Sequence, residues 1–135
     1  IEAYPYRLTA GNAEELIRDY DIVVDGMDNF ATRYIVSDVC QRLHKPFVYG
    51  AIRAMEGQVA VLCKGERNYR SLFPDEQEML RMPHPGKAVL PTTPAVVGSV
   101  EACQVLLLAA GFGSPLIDKL WTIDLATMES MVIDL

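Results

Sequence analysis

The sequence predicts an α/β fold in which a parallel β-α-β unit is continued by antiparallel strands into a mixed sheet. Three observations carry that prediction. The run D-I-V-V-D at residues 21–25 is β-branched and too apolar to leave one face wet, as a buried parallel strand requires. A helical stripe begins at Phe30 and is stopped by Pro46, after which a second strand pattern opens at once. Residues 119–125 and 131–135 alternate well enough for a closing antiparallel hairpin.

Taken in order, Asn12 and Glu15 have the spacing of a capping box and predict a short helix over 13–20. The strand at 21–25 then runs into a turn at 26–29. In the helix that follows, Ile35, Val36, Val39, Cys40 and Leu43 share a stripe, and Arg33, Ser37, Asp38, Gln41 and Arg42 lie largely off it. Strands are expected at 47–52 and 58–63, joined by a short link containing Gly57. The unit 21–52 implies a right-handed crossover. Residues 64–92 lack a sustained period and contain Pro74, Pro83, Pro85 and Pro91, so they predict a long irregular connection, functional or disordered. Thr93 and Pro94 then read as N-cap and first helical residue, and Gly111 as the stop of a helix apolar nearly all round, buried in a core or interface.

At 135 residues the chain predicts one domain, and 50% hydrophobic with 22% charged residues is the composition of a folded protein. A net charge of -6, with twelve Lys and Arg scattered along the chain, excludes a phosphate-tracking surface, so no nucleic acid is expected as partner. The most apolar stretch, 95–110, is interrupted by Gly98, Ser99, Glu101 and Gln104, and no membrane span or signal peptide is expected. Cys40, Cys63 and Cys103 are widely spaced and sit in apolar runs, which reads as reduced core cysteine in a cytoplasmic protein.

In open α/β sheets, ligands bind beyond the carboxyl ends of the parallel strands, and Gly26, Met27, Asp28 and Asn29 occupy that position. An ionised Asp28 there can hold Mg²⁺. Asn29 can cap the next helix and offer an amide to a nucleotide, and Arg33, one turn on, can reach phosphate or a carboxylate. The same residues also suit a plain turn and cap, and spacing alone leaves both open.

The run Y-D-I-V-V-D-G-M-D-N-F-A-T-R at residues 20–33 resembles the Y-D-x-V-x-D-x-x-D-N-x-x-x-R signature of the ThiF/MoeB/HesA family, relatives of ubiquitin-activating enzymes. K-P-F-V-Y-G-A at 45–51, M-E-G-Q at 55–58 and V-G-S-V-E-A at 97–102 extend the resemblance over essentially the whole chain. It implies the C-terminal half of a Rossmann-like ATP-binding adenylation fold, with the N-terminal nucleotide-binding half absent from residues 1–135. It implies that Asp28 is the catalytic Mg·ATP ligand and that Asn29 lines the adenylate pocket beside Arg33. The implied reaction is ATP-dependent adenylation of the C-terminal carboxylate of a ubiquitin-like sulfur-carrier protein, ThiS-like or MoaD-like, by a homodimer. These residues alone are then expected to be inactive.

Three departures qualify the resemblance. The family's glycine motif, ribose-binding acid and adenylation lysine precede the signature, and the G-F-G at 111–113 follows a helix, so it is expected to be a helix stop. Positions where many relatives carry zinc-binding cysteines read Asn68 and Ser71, so no zinc site is expected. Where some relatives carry a thioester or persulfide cysteine, this chain has His84 between two prolines, expected to be an exposed loop residue. Cys103, beside Val100 and Leu107, is expected to pack in the core. Those losses keep an alternative open, a non-catalytic dimerisation or carrier-docking module. A third reading, a complete Rossmann dehydrogenase, fits poorly because no glycine fingerprint precedes any strand.

Overall fold

The computed structural model describes residues 1–83 and 89–135. Five strands form one mixed sheet in the order β1 (Val23–Val24), β2 (Phe47–Arg53), β3 (Glu56–Leu62), β4 (Lys119–Asp124) and β5 (Glu129–Asp134). Helices α1 (Ala13–Ile17), α2 (Phe30–Leu43), α3 (Tyr69–Leu72), α4 (Glu76–Arg81) and α5 (Thr92–Ala110) accompany it. β1 lies parallel to β2, with Val23 opposite Phe47, and each later pair is antiparallel. The expected β-α-β unit continued by antiparallel strands is therefore the observed architecture.

α2 forms because Asn29 caps it, its Oδ1 accepting from the Thr32 amide at 2.9 Å, and ends because His44 turns left-handed at φ 53. Its inward stripe meets one face of the sheet. Tyr34, Val36, Val39 and Cys40 pack with Phe47, Tyr49, Ala60, Leu62 and Tyr69 in one buried cluster. Burying a side chain such as Phe47 completely contributes about 1.5–3 kcal/mol. Strand alternation sends Val48, Gly50, Val59 and Val61 to the opposite face, where α5 lies. Val97 of α5 sits so close to Gly57 that an added Cβ would be 2.4 Å from its Cγ2, which is why the β3 position opposite Ile52 has no side chain.

Several expected details are corrected. α1 ends at Ile17 and carries no side-chain cap, because Asn12 is used elsewhere: its Oδ1 accepts from Thr9 N at 2.7 Å and its Nδ2 donates to Arg7 O. β1 is a two-residue ladder inside the run 21–25, held by Val23 N on Pro46 O and Asp25 N on Val48 O. The connection 64–92 contains α3 and α4, each started by a side-chain cap, Asn68 and Asp75. Helices of four and six residues are too short to print a period.

Thr93 is also not the cap of α5. Pro91 holds the cap position with no side-chain bond, and Thr93 lies inside the helix, its hydroxyl donating to Ala54 O in the β2–β3 turn. The buried stripe of α5 is Thr93, Val97, Glu101 and Gln104, while Leu106 is 65% exposed. Cys103 is exposed, so its expected core packing does not hold; Cys40 and Cys63 are buried. The inward side is polar because Gln104 accepts from Leu116 N at 2.8 Å, tying the helix to the segment before β4. By length and composition α5 is long and apolar enough to cross a membrane. It is packed here against β2 and β3.

Candidate functional site

The carboxyl end of β1 delivers the chain into the turn at 26–29, and its geometry is set by Asp25 and Arg33. Asp25 has a fully buried side chain; its Oδ1 accepts from Met27 N at 2.8 Å and its Oδ2 from Arg33 Nε at 2.7 Å. Arg33 Nη2 donates to Met27 O and, at 3.1 Å, to Gly50 O in the middle of β2. The guanidinium also lies over the Tyr49 ring, 5.5 Å from its centroid. One side chain thus ties the last residue before the turn, the turn itself and the neighbouring strand. Burial pushes the Asp25 carboxyl up, and Arg33 with the Met27 amide acts against that.

On this clamp Asp28 is exposed, and Asn29 Nδ2 donates to its Oδ1 at 3.2 Å. Asn29 therefore joins Asp28 to the first turn of α2. The sequence-predicted trio is brought together in space with unequal surroundings: Asp28 at the surface, Asn29 half-buried, Arg33 buried on Asp25. The site includes two further residues that the sequence marked only as the end of a strand run and as a break in an apolar helix. Asp25 is the earlier acid of the signature, where an acid directly after a buried strand was the available signal. Glu101 is the one acid in an apolar helix. Its carboxyl lies against Gly50, 2.4 Å from where a Cβ would be, and burial, then Asp25, push it up to about 7 while Arg33 opposes them.

The positions compared with zinc ligands form a different device. Asn68 Oδ1 accepts from Ser71 N, and Ser71 Oγ accepts from Asn68 N, both at 3.2 Å, in a reciprocal capping box. Arg70 beside it forks onto Asp38 at 2.9 and 2.8 Å and reaches Glu76 at 2.9 Å, while Tyr69 N donates to Ser37 Oγ at 3.0 Å. Asn68→Ala is expected to cost about 1 kcal/mol and lower the Tm. Adding a chelator to the wild type should leave its Tm where it was. A Tm that drops on chelation, with about one zinc per chain released, would contradict this account of the loop.

His84 lies outside the described residues. Gly111 has φ 65 and donates its amide to Leu107 O, so the G-F-G run is the expected helix stop.

The chain is 46% identical over 131 residues to a sulfur carrier protein adenylyltransferase of Thermus thermophilus, covering 92% of this chain and 48% of that protein. It is 34% identical over 135 residues to a probable adenylyltransferase/sulfurtransferase MoeZ of Mycobacterium tuberculosis, covering 96% of this chain and 34% of the relative. It spans about half the length of the first and about a third of the second. Among solved structures, E. coli MccB with ATP superposes with a TM-score of 0.71 at 18% identity, over 94% of this chain and 40% of that one. PaaA superposes with a TM-score of 0.69 at 13% identity, over 93% of this chain and 46% of that one. These two establish the fold. The model of the ThiF family matches residues 1–135, and on that match the chain belongs to the ThiF family.

Proposed function

We propose that the protein carrying this chain uses ATP and Mg²⁺ to adenylate the C-terminal carboxylate of a ubiquitin-like sulfur-carrier protein, ThiS-like or MoaD-like, as a cytoplasmic homodimer. The observation that carries the reading is the clamped turn, an exposed carboxylate at the carboxyl end of a parallel strand, fixed by a buried ion pair and a capping amide. The T. thermophilus relative, named as a sulfur carrier protein adenylyltransferase, supports the same chemistry.

In this reaction a carboxylate oxygen of the carrier bonds to the α-phosphorus of ATP, the bond to the bridging oxygen breaks, and pyrophosphate leaves. Mg²⁺ when bound neutralises phosphate charge. Among the described residues no group of three or more His, Cys, Asp or Glu is arranged to hold a metal. The donor set suits Mg²⁺ shared with a nucleotide, since this ion takes one or two carboxylates plus phosphate oxygens and water. Asp28 supplies the carboxylate. Asn29 orients it, and Arg33 and Asp25 keep the turn from moving as charge shifts, so little reorganisation accompanies the reaction.

The alternative, a docking or dimerisation module, is favoured by one feature. β5 exposes Met131, Val132 and Ile133, an apolar edge strand suited to a partner. The full-length protein decides between them. Adenylation predicts exchange of labelled pyrophosphate into ATP that needs a carrier with an intact C-terminus. Exchange absent with both ThiS-like and MoaD-like carriers would leave the docking module.

A further inference from the structure

Glu101 is buried to 7% exposure and turned toward the sheet, with its Oε1 fully enclosed and meeting no hydrogen-bond donor. Its carboxyl occupies the space a side chain at position 50 would need. The carbonyl of Gly50 is also where Arg33 Nη2 ends. A single backbone residue is therefore flanked by the carboxyl of α5 and the guanidinium of α2, and the adenylation chemistry makes no use of the carboxyl.

We propose that Glu101 is a positioning residue for the turn bearing Asp28, which it leaves clamped while it carries a proton and loosens when it ionises. The consequence for rate rests on the adenylation reading; the coupling to Arg33 does not.

With Glu101 neutral, Asp25 and Arg33 balance each other, and Arg33 spends its donors on Asp25, Met27 and Gly50. Ionised, Glu101 adds a second negative charge to an enclosed pair, and its oxygens compete for the guanidinium from the far side of Gly50. Movement of the guanidinium toward α5 lengthens its bonds to Asp25 and to Met27 O, next to Asp28. The charged groups acting on Glu101 are Asp25, at the end of β1, and Arg33, on α2. By alternation β2 turns Val48, Gly50 and Ile52 toward α5, and β3 turns Gly57, Val59 and Val61, none of them titratable. α5 contains no basic residue to neutralise the carboxylate.

Burial places this titration at about 7. The folded state then holds a proton that the unfolded chain releases near the ordinary carboxylate value of about 4.3. The stabilisation is complete below that value, declines as pH rises, and is gone above about 7.

The test uses the full-length protein with nitrogen-labelled arginine, as wild type, Glu101→Gln and Glu101→Leu, from about pH 5 to about pH 9. In the wild type the Arg33 Nε–H resonance is expected to move with a midpoint at about 7, and the Tm to fall over the same window by about 5 °C. Both variants should lose that movement, so Glu101→Leu serves if the Gln form folds poorly. The ratio of Glu101→Gln to wild-type pyrophosphate exchange should rise about threefold or more between about pH 6 and about pH 8.5. An Arg33 resonance that stays still in the wild type, or moves identically in the variants, overturns the proposal. A ratio flat with pH while exchange is measurable also overturns it. Loss of the Arg33 movement in both variants, with exchange absent throughout, would support the coupling and reject adenylation.

Discussion

Asp28→Asn in the full-length protein is expected to lower pyrophosphate exchange by about a hundredfold to a thousandfold, with a Tm close to wild type. The size follows from the role. A carboxylate sharing Mg²⁺ with the triphosphate is asked to supply about 3–4 kcal/mol at the transferring phosphate, and Asn keeps its shape but not its charge. The small effect on folding follows from position, since Asp28 is exposed while the turn is held by Asp25, Arg33 and the Asn29 cap. Asn29→Ala should cost less in rate and more in stability, because it removes the Thr32 bond and the contact to Asp28 yet leaves the carboxylate. Exchange and melting curves on both variants separate the two roles. Wild-type exchange by Asp28→Asn at an unchanged Tm would make Asp28 a turn residue only.

How far the sequence reached is visible in two helices. α2 was legible because its apolar residues recur on one stripe, Asn29 precedes it and Pro46 ends its reach. α5 was legible in extent but not in orientation. A helix apolar nearly all round has no stripe to mark its inward side, and the sheet decided it: Gly57 admits Val97 and Gly50 admits Glu101. The inward polar residues were noticed only as interruptions of an apolar run. α3 and α4 left no period, because one turn of helix is specified by its cap, and Asn68 and Asp75 look like ordinary loop residues until their acceptors are placed.

The site shows the same division. Asp28, Asn29 and Arg33 were legible because a strand end followed by an acid and a cap is a local pattern, and the family signature spans it. What Arg33 does was not. Its partners are eight residues back and seventeen residues on, Asp25 and Gly50, and they meet only because β1 and β2 pair in parallel. With Nε and Nη2 engaged there, Arg33 braces the turn bearing Asp28 from beneath.

That assignment makes Arg33→Met the most destabilising of the substitutions considered. The Asp25 side chain is fully buried and that of Arg33 is 10% exposed, so removing the guanidinium strands an enclosed carboxylate with the neutral backbone amides of Met27 and Gly50 in place of a charged partner. Breaking a buried pair in this way costs about 3–5 kcal/mol, a large part of a total stability of about 5–15 kcal/mol, and the Tm should fall by about 10 °C or more. The loss should grow with pH. Burial already pushes Asp25 up, and without Arg33 to oppose it the carboxyl takes a proton on folding. A proton bound only in the folded state favours folding at low pH and stops helping as pH rises, so the gap to wild type widens between about pH 5 and about pH 8. Arg33→Lys should fall between, since an ammonium restores the charge but cannot span Asp25, Met27 O and Gly50 O with one planar fork. Asp25→Asn combined with Arg33→Met should recover part of the loss, because the stranded charge is gone. Melting curves of the three variants and the wild type across pH provide the comparison. An Arg33→Met Tm within about 1 °C of wild type at every pH would show that the buried pair does not hold the turn.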